Sequence, residues 1–168
     1  MAPSSIMPLT AQHKTGNFDC GEEALNIWLR ETALSNQQKY YTSSYVITDN
    51  RQQVIAYYAL CTSMIYKQDM PRRLRDNAAP RELPAILLAR LGVDKAFQKQ
   101  RLGGYLLLDA FKRTAQAAQL SAAQVLITHP IHSQAESFYL KHGFLKLRGE
   151  KEALFIPLPV ITAILKQS

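Results

Sequence analysis

Leu88-Ala89-Arg90-Leu91-Gly92-Val93-Asp94-Lys95-Ala96-Phe97-Gln98-Lys99-Gln100-Arg101-Leu102-Gly103-Gly104 is the stretch on which the reading of this chain turns. It begins inside a nearly continuous apolar run, 85–93, bounded by Pro84 and Asp94, which is the pattern of a central strand covered on both faces. A polar turn follows. Two glycines then open a segment, about 103–119, in which Leu106, Leu107, Ala110, Phe111, Thr114 and Ala118 recur on one helical face. Strand, turn and helix start together make an anion cradle. The first N–H groups of a helix have no partner, the helix dipole is positive there, and Gly103 and Gly104 let the backbone come close to a ligand. No GK[ST] follows, so this is not a Walker loop.

Working toward the N-terminus, Asp19 with Glu22 reads as an acidic capping box. It opens a helix in which Ala24, Leu25, Trp28 and Leu29 recur to about Ser35. Residues 45–48 and 54–61 are β-rich runs joined by the polar break Asp49-Asn50-Arg51-Gln52, which predicts a hairpin. The Pro-, Arg- and Asp/Asn-rich segment 70–84 reads as a loop with one helical turn at most. Toward the C-terminus, 125–128 is a short buried strand. Ser133 and Glu136 form a second capping box, for a helix through Ala135, Phe138, Tyr139 and Leu140 that stops at Gly143, a C′ residue. Residues 144–147 and 153–156, separated by charged residues around Gly149, predict a last pair of strands. The order is mixed α/β (α+β), with helices on both faces of one sheet. With no repeat and no internal boundary, the expectation is one domain over 1–168 with its core at about 8–158.

The chain has 168 residues, 47% of them hydrophobic, enough to build a core without a metal or disulfide staple. Cys20 and Cys61 lie 41 positions apart, outside any CxxC or Cys/His cluster, which excludes a zinc ribbon or thioredoxin motif and fits a reducing cytoplasm. The start lacks the basic and apolar regions of an export signal, and no window approaches about 18 apolar residues, so neither export nor membrane spanning is expected. His129 and His132 form an HxxH across a strand end and a turn without an acidic third ligand, so no metal is expected there. His13 and His142 read as surface or capping residues, and Glu22, Glu23 and Glu31 as the solvated face of the first helix. No Ser/His/Asp constellation stands out.

The net charge is +7, and its position matters more than its size. Residues 67–101 carry nine Lys and Arg against four acids, a net of +5. Such concentration suits a surface that docks phosphates; its bland counterpart is a solvated basic face.

Two motifs carry a family resemblance. Gln98 to Gly103 resembles motif A of the Gcn5-related N-acetyltransferases, [Q/R]xxGx[G/A], with Arg101 in place of the middle glycine. The resemblance implies a central, mostly antiparallel twisted sheet flanked by helices. It also implies that Leu91, Gly92, Val93, Gln98, Lys99, Gln100, Arg101, Leu102, Gly103 and Gly104 hold acetyl-coenzyme A. Arg101 either points outward and adds a charge-assisted contact to the phosphates, or blunts the cradle. Residues 135–144, AESFYLKHGF, resemble the FYxxxGF signature of the same superfamily. Neighbouring helical residues point about 100° apart, so Phe138 and Tyr139 face different surroundings. A phenol with an ordinary pKa near ~10 is protonated at neutral pH and can give its proton to a departing thiolate, which would make Tyr139 the general acid; otherwise it is a core aromatic.

Asn17-Phe18-Asp19-Cys20-Gly21 with Leu25, Trp28 and Leu29, then 55–60, then 83–91, resembles the acetyltransferase toxins of bacterial type II toxin–antitoxin modules over about residues 8–158. That resemblance implies acetylation of the α-amino group of aminoacyl-tRNA, a ribbon-helix-helix antitoxin as partner, operator DNA only through that complex, and a homodimer. An α-amine with a reference pKa near ~8 is partly neutral at cellular pH, so water can take its proton and no strong enzymic base is needed. Arg72, Arg73, Arg75 and Arg90 are the candidate tRNA contacts. The rival readings are an acetyltransferase of a small amine or protein N-terminus, and a catalytically weak protein that binds nucleic acid or an antitoxin.

Overall fold

The computed structural model describes residues 5–149 and 152–167; Glu150 and Lys151, two of the charged residues expected around Gly149, lie outside them. Seven strands are hydrogen-bonded in the order β1-β2-β3-β4-β5-β7-β6: β1 (Met7–Pro8), β2 (Ser43–Thr48), β3 (Val54–Tyr66), β4 (Glu82–Val93), β5 (Val125–Thr128), β6 (Leu145–Lys146) and β7 (Leu154–Pro157). The helices are α1 (Glu23–Glu31), α2 (Ala33–Gln38), α3 (Leu102–Ser121), α4 (Ser133–Lys141) and α5 (Leu158–Lys166). The sheet is mostly antiparallel, with β4 and β5 the parallel pair. By their contacts the residues form two compact units, and β3, β4 and α3 each contribute to both.

The first unit joins residues up to Cys61 with 89–110. The expected hairpin forms, and Ser43 pairs with Leu60 at the open end of the β2–β3 ladder. Asp49 makes the turn, its Oδ1 accepting from the N–H of Arg51 (2.8 Å) and of Gln53 (3.0 Å). Leu9, Phe18, Leu29, Ala33, Val46, Val54 and Tyr57 form the core here, with Trp28 stacked on Tyr57 at 6.1 Å. The expected capping box of α1 does not form. Asp19 Oδ1 instead accepts from the Gly21 N–H (2.9 Å) and from Asn26 Nδ2 (3.0 Å), and Glu22, at the N-cap, makes no side-chain capping bond to the helix. An Asx turn and a buried asparagine outcompete the helix end for that carboxylate. Ala24, expected to face inward, is exposed, and the helical segment breaks at Thr32.

The second unit joins 62–88 with the residues from Phe111 onward. Its core is Ile65, Met70, Leu83, Ala85, Val125, Ile127, Leu147, Ala153 and Phe155. The expected loop 70–84 holds one short 3₁₀ turn, Arg72–Leu74, as expected; a second, Lys67–Asp69, precedes it, and residues 82–84 already belong to β4. The second capping box also fails: α4 is capped by His132, whose Nδ1 accepts from the Ala135 N–H at 3.0 Å, one residue before the expected Ser133. Gly143 does close α4 in the left-handed region, at φ +101°. Helix α5 was not expected. Pro159 falls in its first turn, where the missing N–H has no intrahelical role.

Candidate functional site

In the first unit, β4 ends at Val93 and hands over to the proposed cradle. Asp94 fixes the handover: Oδ1 accepts from the Ala96 N–H (2.9 Å) and Oδ2 from the Asp19 N–H (3.0 Å). The Lys95 N–H in turn donates to the Asp19 carbonyl at 2.8 Å. Gln98, the first position of the expected motif, is exposed, and its side chain folds back on the loop, with Nε2 donating to the carbonyls of Cys20 (3.0 Å) and Val93 (2.9 Å). It holds the loop's shape through its side chain.

Past Gln98 the backbone alternates. Lys99 and Arg101 both lie in the left-handed region, at φ +67° and +65°, while Gln100 does not. Alternation of this kind turns successive N–H groups toward one concavity, a nest for an anion. The Arg101 carbonyl accepts from the Tyr105 N–H (3.1 Å), which starts the helical pattern and leaves the first-turn amides of Leu102, Gly103 and Gly104 without intrahelical acceptors. Arg101 is exposed and so are Lys99 and Gln100. The position that prefers glycine in the motif therefore keeps a glycine-like backbone, and the arginine side chain stands outside the cradle. Arg101 points outward, as the first of the two expected outcomes requires. Leu91 and Val93 are half-buried and Gly92 is buried on β4.

In the second unit the parallel β4–β5 ladder runs from Ala85–Val125 to Leu88–Thr128 and stops. Pro130 has no N–H with which to extend it, and the Leu88 carbonyl takes a bond from the Thr128 hydroxyl at 3.0 Å. Beyond Leu88 the strand β4 continues without a ladder partner from β5. Tyr139 belongs to this same unit. It is 6% exposed, edge-on to Phe144 at 5.2 Å and to Phe138 at 5.2 Å. Burial pushes its phenol up to about 12, with a side-chain hydrogen bond to Thr128 pulling the other way. The phenol is thus a firmly protonated donor at any cellular pH. Phe138 is only half-buried and packs on His142 at 4.5 Å, so the two aromatics do occupy different surroundings.

The four arginines separate by role. Arg72 and Arg73 are exposed on the second 3₁₀ turn. Arg75 is half-buried, its Nη2 donating to the carbonyls of Gln68 (2.8 Å) and Met70 (3.0 Å). Lys67 does the same for Asn77 and Ala79, at 3.0 and 2.7 Å. These two cations shape the loop. Arg90 lies over the Trp28 ring at 5.0 Å and donates to the Ala89 carbonyl, so its guanidinium is engaged inside its own unit. Thr128, Asp94 and Asp19 were missed as site residues; of the three, only Asp94 leaves a sequence signal, an Asp between a strand and a turn. Among the described residues no group of three or more His, Cys, Asp or Glu is placed to hold a metal, and no helix is long and apolar enough to cross a membrane.

Residues 36–146 match the family model described as an acetyltransferase (GNAT) domain. The chain is 36% identical over 128 residues, 76% of either chain, to the tRNA-acetylating toxin of Mycobacterium tuberculosis (strain ATCC 25618 / H37Rv). Among solved structures it is similar to AtaT complexed with acetyl-methionyl-tRNAfMet, at a TM-score of 0.90 and 30% identity over 96% of this chain and 98% of that one. It is also similar to a tyrosine-to-phenylalanine mutant of the AtaT toxin bound to the C-terminus of the antitoxin AtaR and to acetyl-CoA, at 0.84 and 30% over 97% and 98%.

Proposed function

Because the chain belongs to the Gcn5-related N-acetyltransferase (GNAT) family and is an acetyl-coenzyme A-dependent N-acetyltransferase, we propose that it is the toxin of a type II toxin–antitoxin module. In this reading it acetylates the free α-amino group of aminoacyl-tRNA and so stops translation. The whole chain acts as one catalytic domain, works in the cytoplasm as a homodimer, and is neutralised by a ribbon-helix-helix antitoxin through which alone it meets operator DNA. The observation that carries the substrate assignment is its likeness, over three quarters of both chains, to a tRNA-acetylating toxin.

The residues fit the coenzyme. The alternating backbone at Lys99 and Arg101 and the free amides of Leu102, Gly103 and Gly104 suit its pyrophosphate, and Leu91, Gly92 and Val93 offer strand backbone to its extended arm. Bound there, it supplies an acetyl thioester. The chain's own contribution is alignment and one proton. As the amine nitrogen bonds to the acetyl carbon and the carbon–sulfur bond breaks, Tyr139 Oη gives its proton to the departing sulfur, water takes the proton lost by the amine, and solvent restores the phenol. Arg72 and Arg73, exposed and free of the internal duties of Arg75 and Arg90, contact the RNA phosphates.

The test is incubation with labelled acetyl-CoA and matched charged and uncharged tRNA. Label confined to charged tRNA is expected; equal labelling of both, or none, overturns the reading. Replacing Arg72 and Arg73 together by Glu is expected to weaken tRNA binding and to flatten its salt dependence by about 1.5 in log–log slope, the share of two phosphates. An unchanged slope removes them from the interface.

A further inference from the structure

Helix α1 buries one residue that suits neither a helix nor an apolar core. Asn26 is 1% exposed, beside the buried Leu25 and Leu29. Asparagine is a poor helix former because its amide competes for nearby backbone, and burying that amide costs free energy unless both its ends are bonded. Both are bonded, and to one target. Nδ2 donates to Asp19 Oδ1 (3.0 Å), and Oδ1 accepts from the Cys20 N–H (2.8 Å). The partners fix the orientation of the amide. An N–H only donates, and Asp19, held below the usual carboxylate range by the Gly21 N–H and by Asn26 itself, only accepts. Arg30, one turn on, donates from Nη1 to the Phe18 carbonyl at 3.1 Å, and the Tyr57 hydroxyl ties α1 to β3 through the Leu25 carbonyl (2.9 Å).

The two residues that Asn26 holds are the ones bonded to the loop after β4. The Asp19 N–H donates to Asp94 Oδ2 (3.0 Å), the Asp19 carbonyl accepts from the Lys95 N–H (2.8 Å), and the Cys20 carbonyl accepts from Gln98 Nε2 (3.0 Å). Cys20 is therefore gripped at both ends, its N–H by α1 and its carbonyl by the loop. The Asp19–Lys95 ion pair, at 3.6 Å between exposed side chains, adds little to these bonds. All of these residues lie in the first unit. The bonds reach Gln98, one residue before the backbone alternation begins at Lys99. A nest holds an anion only while its N–H groups converge, so what fixes the entry to the nest fixes its affinity. We infer that Asn26 is a positioning residue for acetyl-coenzyme A: acting through Asp19 and Cys20, it sets the loop from which the anion-binding amides point. This rests on the reading of 98–104 as the coenzyme cradle.

The test measures acetyl-CoA affinity by calorimetry, single-turnover transfer to charged tRNA at saturating acetyl-CoA, and thermal unfolding, for Asn26→Ala, Gln98→Met and the two combined. Asn26→Ala is expected to bind acetyl-CoA about tenfold more weakly and to transfer at the wild-type rate once saturated, a split that a general loss of stability does not give. Gln98→Met keeps the length of the side chain and loses its donor, and should weaken binding by a similar factor. The combined variant should also lie near tenfold, well short of the roughly hundredfold of independent effects, because both changes cut the same chain of bonds. A lower melting temperature with unchanged affinity, or losses that multiply, makes Asn26 a satisfied core amide and overturns the inference. If Asn26→Ala does not fold, hydrogen exchange of the wild type decides. Saturating acetyl-CoA should slow exchange of the Cys20 amide, which ends on Asn26, together with that of Lys95; a Cys20 amide that the coenzyme leaves unchanged overturns the inference equally. Arg101→Val, which alters the nest itself, separates the two failures. If it lowers affinity and Asn26→Ala does not, the cradle stands and only the positioning role falls; if neither changes affinity, the cradle falls and the inference with it.

Discussion

In the 98–104 loop the groups proposed to hold the coenzyme are main-chain amides, and the side chains of Lys99 and Arg101 stand in solvent. At Tyr139 the proposed working group is a single phenol, packed against Phe138, Phe144 and the Thr128 hydroxyl. A site made of backbone accepts any residue that can hold the required φ; a site made of one side chain accepts no substitute for its polar atom. On this proposal a departure from the glycine motif at position 101 is compatible with an intact cradle, whereas a single missing oxygen at position 139 removes the proposed proton donor. It also divides the expected defects: substitutions in the loop change coenzyme affinity, and substitutions at Tyr139 change the rate of transfer.

The largest effect is therefore expected from Tyr139→Phe, which deletes one oxygen from a closely packed ring. Single-turnover acetyl transfer should slow by about 10²–10⁴, the usual worth of a positioned acid, with acetyl-CoA affinity unchanged. A variant that transfers at the wild-type rate reduces Tyr139 to a core aromatic. The pH profile gives an independent check. The rate should rise as the substrate amine loses its proton near pH ~8 and then stay level, because the acid form of a phenol pushed up to about 12 is lost only as pH climbs through that value. A decline already at pH 9 assigns the proton to another group. The sign for stability is the same: a buried neutral phenol whose folded pKa lies above its unfolded value of ~10 stabilises the fold fully below pH ~10, and that contribution disappears between pH ~10 and about 12.

Thr128→Val is expected to come next. It preserves shape but removes the hydroxyl that bonds the Leu88 carbonyl and touches the Tyr139 phenol. Transfer should slow by about tenfold, with about 1 kcal/mol of stability lost from the unpaired carbonyl, and Thr128→Ser should restore both. Loss of stability without loss of rate would show that the phenol needs no orientation from β5.

The strand 85–93, the hairpin and the helix from Leu102 were legible because burial period and turn residues agree there. Helix α5 was not, since Pro157 and Pro159 read as breakers until the strand β7 is seen to end directly in a helix whose first turn tolerates proline. The failed capping boxes share a cause. A short polar side chain has several backbone partners within reach, and tertiary contacts choose: Asn26 and Gly21 take Asp19, and His132 supplies the cap that Ser133 was expected to give. Tyr139 was legible as a motif residue, but its burial and its Thr128 contact depend on how α4 packs beside β5, which a motif does not state. The separation of Arg72 and Arg73 from Arg75 and Arg90 was likewise invisible, because composition counts cations without saying which ones a carbonyl or an indole has already engaged.

The smallest effects test the loop. Arg101→Val forces a β-branched residue into a left-handed conformation it does not hold, so the alternation fails and acetyl-CoA affinity should drop about tenfold, measured by calorimetry. Arg101→Gly keeps that backbone and removes only an exposed side chain. It should raise stability by about 1 kcal/mol through relief at φ +65° and leave affinity equal or up to about threefold weaker, the share of one solvent-screened charge on the phosphates. A large gain in affinity from Arg101→Gly would mean that the arginine obstructs the cradle, and the contrast between a backbone site and a side-chain site would no longer hold. Equal losses from Val and Gly would mean that the guanidinium itself is the binding group. Only the ordering Val far below Gly, with Gly close to the wild type, is what a main-chain cradle requires.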